Sequence, residues 1–139
     1  MDFSIITFCV AVLIVGIFIF LAVMLNSKRA YTFDKIAYQT DFLKIENGLL
    51  RDNPATYDLS LVEADKLLDK ALSEMGIPGK TMGDRLKKSA DKFTSLNSVW
   101  YAHKLRNQIA HEHGFHVEYR QSLHALATYK QALKDLGAI

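Results

Sequence analysis

Phe3-Ser-Ile-Ile-Thr-Phe-Cys-Val-Ala-Val-Leu-Ile-Val-Gly-Ile-Phe-Ile-Phe-Leu-Ala-Val-Met-Leu25 is a run of 23 residues without a charge. As a helix rising about 1.5 Å per residue it reaches roughly 35 Å, enough to cross a hydrocarbon core of about 30 Å with some tilt. A cleaved signal sequence is the rival reading, but it wants a basic start, a shorter apolar stretch and a small-residue cleavage site. Here Asp2 follows Met1 and the run ends Val23-Met24-Leu25-Asn26, so an uncleaved anchor over residues 3–25 is expected. Asp2 precedes the span while Lys28, Arg29 and Lys35 follow it. The positive-inside bias then predicts a single-pass protein of the cell membrane, with its N-terminus outside and its C-terminal part in the cytoplasm. The lipid bilayer is thus the first expected partner.

Half of the 139 residues are hydrophobic and 23% are charged. All 17 basic and 14 of the 15 acidic residues lie beyond the apolar run, so the remainder carries +3. That weak charge excludes a polybasic tail or a strongly electrostatic nucleic-acid coat. Cys9 is the only cysteine, which excludes intrachain disulfides and a cysteine-based zinc site.

Residues 26–54 read as a juxtamembrane connector, helical in pattern, with Phe33, Ile36, Ala37, Leu43 and Leu50 at loose helical spacing. A solvated stalk packing lightly on the domain is the expectation, against a lipid-surface or partner-binding helix. Asp52-Asn53-Pro54 breaks the pattern. From 55 to 139 no alternating strand pattern occurs and four helices are expected. Ser60-Leu61-Val62-Glu63 has capping-box spacing, followed by an apolar face of Leu61, Ala64, Leu68, Ala71, Leu72 and Met75. Thr81 to Lys92 forms a shorter helix. Ser95 or Asn97 begins a third that runs to about His113, and a last one starts near Val117 with Tyr119, Leu123, Leu126, Tyr129, Leu133 and Leu136 inward. Short connections favour a small antiparallel bundle, so the fold class is all-α: one transmembrane helix, a connector and a bundle. An 85-residue bundle buries a modest core, and aromatics such as Trp100, Tyr101 and Phe115 exceed it, which suggests a homodimer.

Two leads carry no site. Gly76-Ile77-Pro78-Gly79-Lys80-Thr81 has two residues between its glycines where a phosphate-binding loop needs four, and it follows a helix instead of a strand. It reads as a turn. His111, His113 and His116 lie close in sequence, but the first two stand about 200° apart on a helix and no Asp or Cys completes a tetrahedral set. Neither metal nor cofactor is expected.

The informative stretch is Leu105-Arg106-Asn107-Gln108-Ile109-Ala110-His111-Glu112. Val99, Ala102, Leu105, Ile109 and Ala110 cover one face, and Arg106 falls inside that apolar arc. A buried guanidinium is costly unless paired, so Arg106 calls for a partner or a crevice. Trp100, His103, Asn107 and His111 line a neighbouring stripe suited to stacking or hydrogen-bonding a nucleotide. Arg106 and His111 stand about 140° apart, so one straight helix is expected not to aim both at one phosphate. Two copies across a twofold axis would.

Arg106-Asn107-x-x-x-His111, late in a helix and followed by a closing helix, resembles the signature of the HEPN superfamily (higher eukaryotes and prokaryotes nucleotide-binding). That signature is an arginine, often a polar residue after it, and a histidine after four to six intervening residues, four here. The likeness spans residues 55–139. Many HEPN proteins are metal-independent ribonucleases in which the motifs of two protomers meet; others are inactive nucleotide- or partner-binding modules. The resemblance therefore implies RNA or a nucleotide as ligand. His111 would be general acid or base, Arg106 the phosphate ligand, Asn107 an orienting group, and Trp100 and His103 binding residues. RNA would supply its own 2′-hydroxyl and leave a 2′,3′-cyclic phosphate. The alternative is a non-catalytic, membrane-tethered scaffold that binds a nucleotide or a cognate protein partner.

Overall fold

The computed structural model describes residues 3–26 and 31–139. Among them are six α-helices and no strand: α1 (Phe3–Asn26), α2 (Lys35–Gly48), α3 (Ala55–Glu74), α4 (Met82–Lys88), α5 (Leu96–His111) and α6 (Tyr119–Asp135), with a short 3-10 turn at Ala90–Lys92. They fall into two units, Met1–Tyr31 and Thr32–Ile139.

The first unit is α1. Its apolar side chains have no core to enter, and a helix this long and this apolar suffices to cross a membrane. Asp2, Lys28 and Arg29, on which the orientation argument rests, lie outside the described residues.

The second unit is a helical bundle around α3, which touches α2, α4, α5 and α6. Direction follows from the pairings. Tyr57 O accepts from Ser122 and Asp65 accepts from Tyr129, so α3 and α6 run parallel. Asp65 meets His103 while Asp58 meets His116, so α3 and α5 are antiparallel. The core combines Leu61, Leu68 and Leu72 of α3 with Leu86 of α4, Val99 and Leu105 of α5, and Tyr129 and Leu133 of α6.

Three local expectations differ from the structure. Residues 35–48 belong to the bundle: Phe33, Tyr38 and Phe42 are buried, while Ile36 and Leu43 stay exposed. The buried face of α2 is thus the aromatic one. Tyr38 donates to Glu74 at 2.8 Å and Lys130 reaches Glu46 at 2.8 Å, tying α2 to α3 and α6. Ser60 does not begin a helix. It lies buried inside α3, which starts at Ala55 because Pro54 presets the first turn and Asn53 Oδ1 accepts from Ala55 N. Leu123, assigned to the core, is exposed, and Ser122 and Ala125 take the inward positions of α6.

The turns do what their residues allow. Gly76 adopts a φ of 75° after the last turn of α3, where Ile77 N closes onto Leu72 O. Gly79 has no room for a side chain, since a Cβ would sit 2.9 Å from Arg85 Cγ and 3.0 Å from Arg85 N. Thr81 and Asp84 then cap α4 reciprocally. Asp135, at the end of α6, accepts from Thr94 N and Thr94 Oγ1 and closes the chain between the 3-10 turn and α5. Burial pushes its carboxyl up, but the bonds from Thr94 and Gln131 outweigh that and hold it below the ordinary carboxylate range.

Candidate functional site

α3, α4 and α5 enclose a groove of about 640 Å³. Arg85 fixes its width: the guanidinium donates to Asp69 at 2.8 Å and pins α4 against α3. On the α5 side the groove is lined by Trp100, His103, Arg106, Asn107 and His111, the whole set singled out from the sequence.

Beneath these residues lies a carboxylate that the sequence reading passed over. Asp65, on α3, is 3% exposed. One of its oxygens accepts from His103 Nδ1 at 2.8 Å and from the Tyr129 hydroxyl at 2.8 Å. The other lies 3.4 Å from Arg106 Nε. This last contact is an ion pair without hydrogen-bond alignment, so the buried Nε has charge compensation but no hydrogen bond. Asp65 is therefore the partner that Arg106, set in an apolar arc, required. The signal was present in the sequence: Asp65 stands between Leu61 and Leu68 in the apolar face of α3, an acid inside one arc facing a base inside another.

The network dictates proton positions. Arg106 Nη1 donates to Asn107 Oδ1 at 3.2 Å, which leaves Asn107 Nδ2 to donate to His103 Nε2 at 3.2 Å. His103 Nε2 is then the acceptor and Nδ1 carries the proton given to Asp65. Burial, with the charge and hydrogen bond of Asp65, pushes the Tyr129 phenol well above its ordinary range, so Tyr129 remains a donor. One anion and one cation compensate each other, and the neutral groups orient them.

This sorts the candidates. His103 is 8% exposed and committed on both ring nitrogens, so it forms the wall of the groove and holds Asp65. Asn107 orients Arg106 and His103, with no bond to His111. Arg106 keeps 30% of its side chain exposed. His111 ends α5 and is exposed, and its side chain makes no hydrogen bond among the described residues, which leaves an unengaged imidazole at the groove. Arg106 and His111 both line this one groove of one chain.

No family model, curated protein or solved structure matches this chain. The chemistry must be read from the groove itself.

Its lining sets three carboxylates, Asp65, Asp69 and Asp84, against three cations, Lys66, Lys87 and Arg106. Asp65 is engaged as described, Asp69 is paired with Arg85, and Asp84 accepts from Thr81 N at 3.2 Å. The Thr81 side chain and backbone hold the Asp84 carboxyl below its ordinary range. Lys87, by contrast, enters no ion pair among the described residues. The other histidines do not gather here. His116 bonds Asp58 at 2.6 Å at the far end of α3, and among the described residues no cluster of three His, Cys, Asp or Glu is disposed around a metal position.

Proposed function

We propose that this chain is a membrane-anchored, metal-independent endoribonuclease of the HEPN type. The observation that carries the reading is the single groove lined by a half-exposed, ion-paired arginine and an unengaged imidazole. The forked guanidinium of Arg106, braced by Asp65 and Asn107, binds the scissile phosphate and offsets the charge that builds on it. The 2′-oxygen attacks phosphorus, the P–O5′ bond breaks, and the products are a 2′,3′-cyclic phosphate and a 5′-hydroxyl. His111 moves a proton in this exchange, from the 2′-hydroxyl or to the leaving oxygen. One groove holds one free imidazole, whereas the exchange needs a base and an acid. A homodimer with apposed grooves supplies a second His111.

The test is cleavage of single-stranded RNA by the full chain in detergent with a chelator present. Arg106→Lys keeps the charge and loses the fork, so the cleavage rate is expected to fall about 100-fold or more. An Arg106→Lys protein as active as wild type contradicts the role.

A second reading has its own support: Asp65 and Asn107 already account for Arg106 as a structural tie between α3 and α5. In that case the chain is a non-catalytic tether for a nucleotide or a cognate protein, and His111→Ala leaves its binding intact.

The anchor belongs to the same proposal. α1 stays attached and the bundle faces the cytoplasm, on the bias of Lys28, Arg29 and Lys35 over Asp2. The full-length chain should stay in the membrane pellet after alkaline carbonate extraction, and protease added outside intact cells should leave the bundle uncut. Release by carbonate refutes the anchor; cutting from outside reverses the orientation.

A further inference from the structure

The groove does not end at Trp100. On the other side of the indole lies a second concavity of about 460 Å³, lined by Asn97, Trp100, Tyr101, His103, Lys104 and Asn107. Both volumes fall in the range of ligand sites. Trp100, His103 and Asn107 are common to the two, and since His103 and Asn107 are locked in the Asp65 network, the shared wall is rigid. Trp100 forms the ridge. His103 stands edge-on behind it, with ring centroids 6.0 Å apart, and the start of α4 approaches from the side, where a Cβ on Gly83 would lie 3.6 Å from the indole. The indole is only half-buried, so a held aromatic surface remains open. Beyond it Tyr101 is 46% exposed, and Lys104 is exposed with no ion pair among the described residues.

An aromatic ridge shared by two concavities, with Arg106 in one and Lys104 in the other, is an arrangement that suits a single nucleic-acid strand. We infer that the second concavity is a subsite for the nucleotide next to the scissile phosphate, with Trp100 as its stacking surface and Lys104 as the ligand of the following phosphate. The inference rests on the ribonuclease reading for the position of that phosphate. The phosphate lies at Arg106 and His111, the neighbouring base stacks on Trp100, Tyr101 borders that base, and Lys104 meets the next phosphate. A duplex is excluded by the same geometry, because its bases are stacked on each other and show no face to the indole.

Trp100 is the only tryptophan of the chain, so its fluorescence reports on this ridge without labelling. The full chain in detergent is titrated with a 2′-fluoro tetranucleotide, which lacks the attacking hydroxyl and survives uncut. Saturable quenching is expected, with affinity about ten-fold or more above that of a mononucleotide, and none from a blunt duplex of the same strand. Lys104→Ala and Tyr101→Ala alter exposed side chains, and the unfolding midpoint of Tyr101→Ala, whose ring meets His124, is measured beside its binding. Each should weaken the tetranucleotide several-fold and leave the mononucleotide unchanged. Absent quenching, equal affinity for strand and duplex, or equal effects of these variants on both ligands overturns the subsite. Cleavage with no quenching removes the subsite and leaves the ribonuclease; quenching with no cleavage of ordinary RNA removes the ribonuclease and leaves a strand-binding groove.

Discussion

Asp65→Ala is expected to destabilise the bundle by about 3–5 kcal/mol, the range for breaking a buried ion pair by removing one partner. The substitution withdraws the acceptor from His103 Nδ1 and the Tyr129 hydroxyl and the counter-charge from Arg106 in one step. His103 Nδ1 and the Tyr129 hydroxyl are then left buried without their acceptor, and Arg106 Nε without its counter-charge. Asp65→Asn keeps an acceptor but not the charge, and should fall between the alanine variant and wild type. Urea unfolding of the full chain in detergent, followed by Trp100 fluorescence, gives the midpoints. Removing the exposed pair between Glu63 and Lys66 by Glu63→Ala serves as the control and should cost less than about 1 kcal/mol. An Asp65→Ala protein with the wild-type midpoint would mean that the network does not hold α3, α5 and α6 together.

His111→Ala is expected to lower RNA cleavage by about 100- to 10,000-fold, the span ascribed to a positioned proton-transfer group. Far-UV circular dichroism and the unfolding midpoint should not change, because the side chain is exposed and makes no hydrogen bond among the described residues. That contrast separates the two halves of the motif. Arg106 and Asn107 belong to a network that is both structural and ligand-facing, so their variants mix stability with activity. His111 isolates activity. Measuring cleavage at equal folded fraction, with Asp65→Asn alongside, separates loss of the scaffold from loss of the reacting group.

The architecture was legible where a pattern depended on one element alone. A charge-free run of 23 residues, Gly76 behind an amphipathic face and Thr81 three residues before Asp84 each act within a single helix or turn. What escaped depended on more than one. Asp65 shows on α3 only as an acid within an apolar face, and its partners, Arg106 and His103 of α5 and Tyr129 of α6, come from other helices. The connector was read as a lightly packed stalk from Phe33, Ile36, Ala37, Leu43 and Leu50, yet Tyr38 and Phe42 are inside as well, with Tyr38 bonded to Glu74 and Lys130 over the Phe42 ring. Ser60 shows the opposite failure: a Ser-x-x-Glu spacing is common, and Pro54 had already begun the helix. Trp100, His103, Asn107 and His111, read as one stripe, line one groove together with Arg106, which the sequence set in the adjoining apolar arc. Their division of labour was not legible, because the commitment of His103 and Asn107 to Asp65 and Arg106 is a property of the packed bundle.

The product of the reaction tests the central claim most directly. Single-stranded RNA incubated with the full chain in the presence of a chelator is analysed by 31P NMR and by end-group chemistry. The groove of Arg106 and His111 predicts a 2′,3′-cyclic phosphate paired with a 5′-hydroxyl, formed by wild type and not by His111→Ala. RNA that stays intact with the wild-type protein, or equal yields of the cyclic phosphate from wild type and His111→Ala, would contradict it.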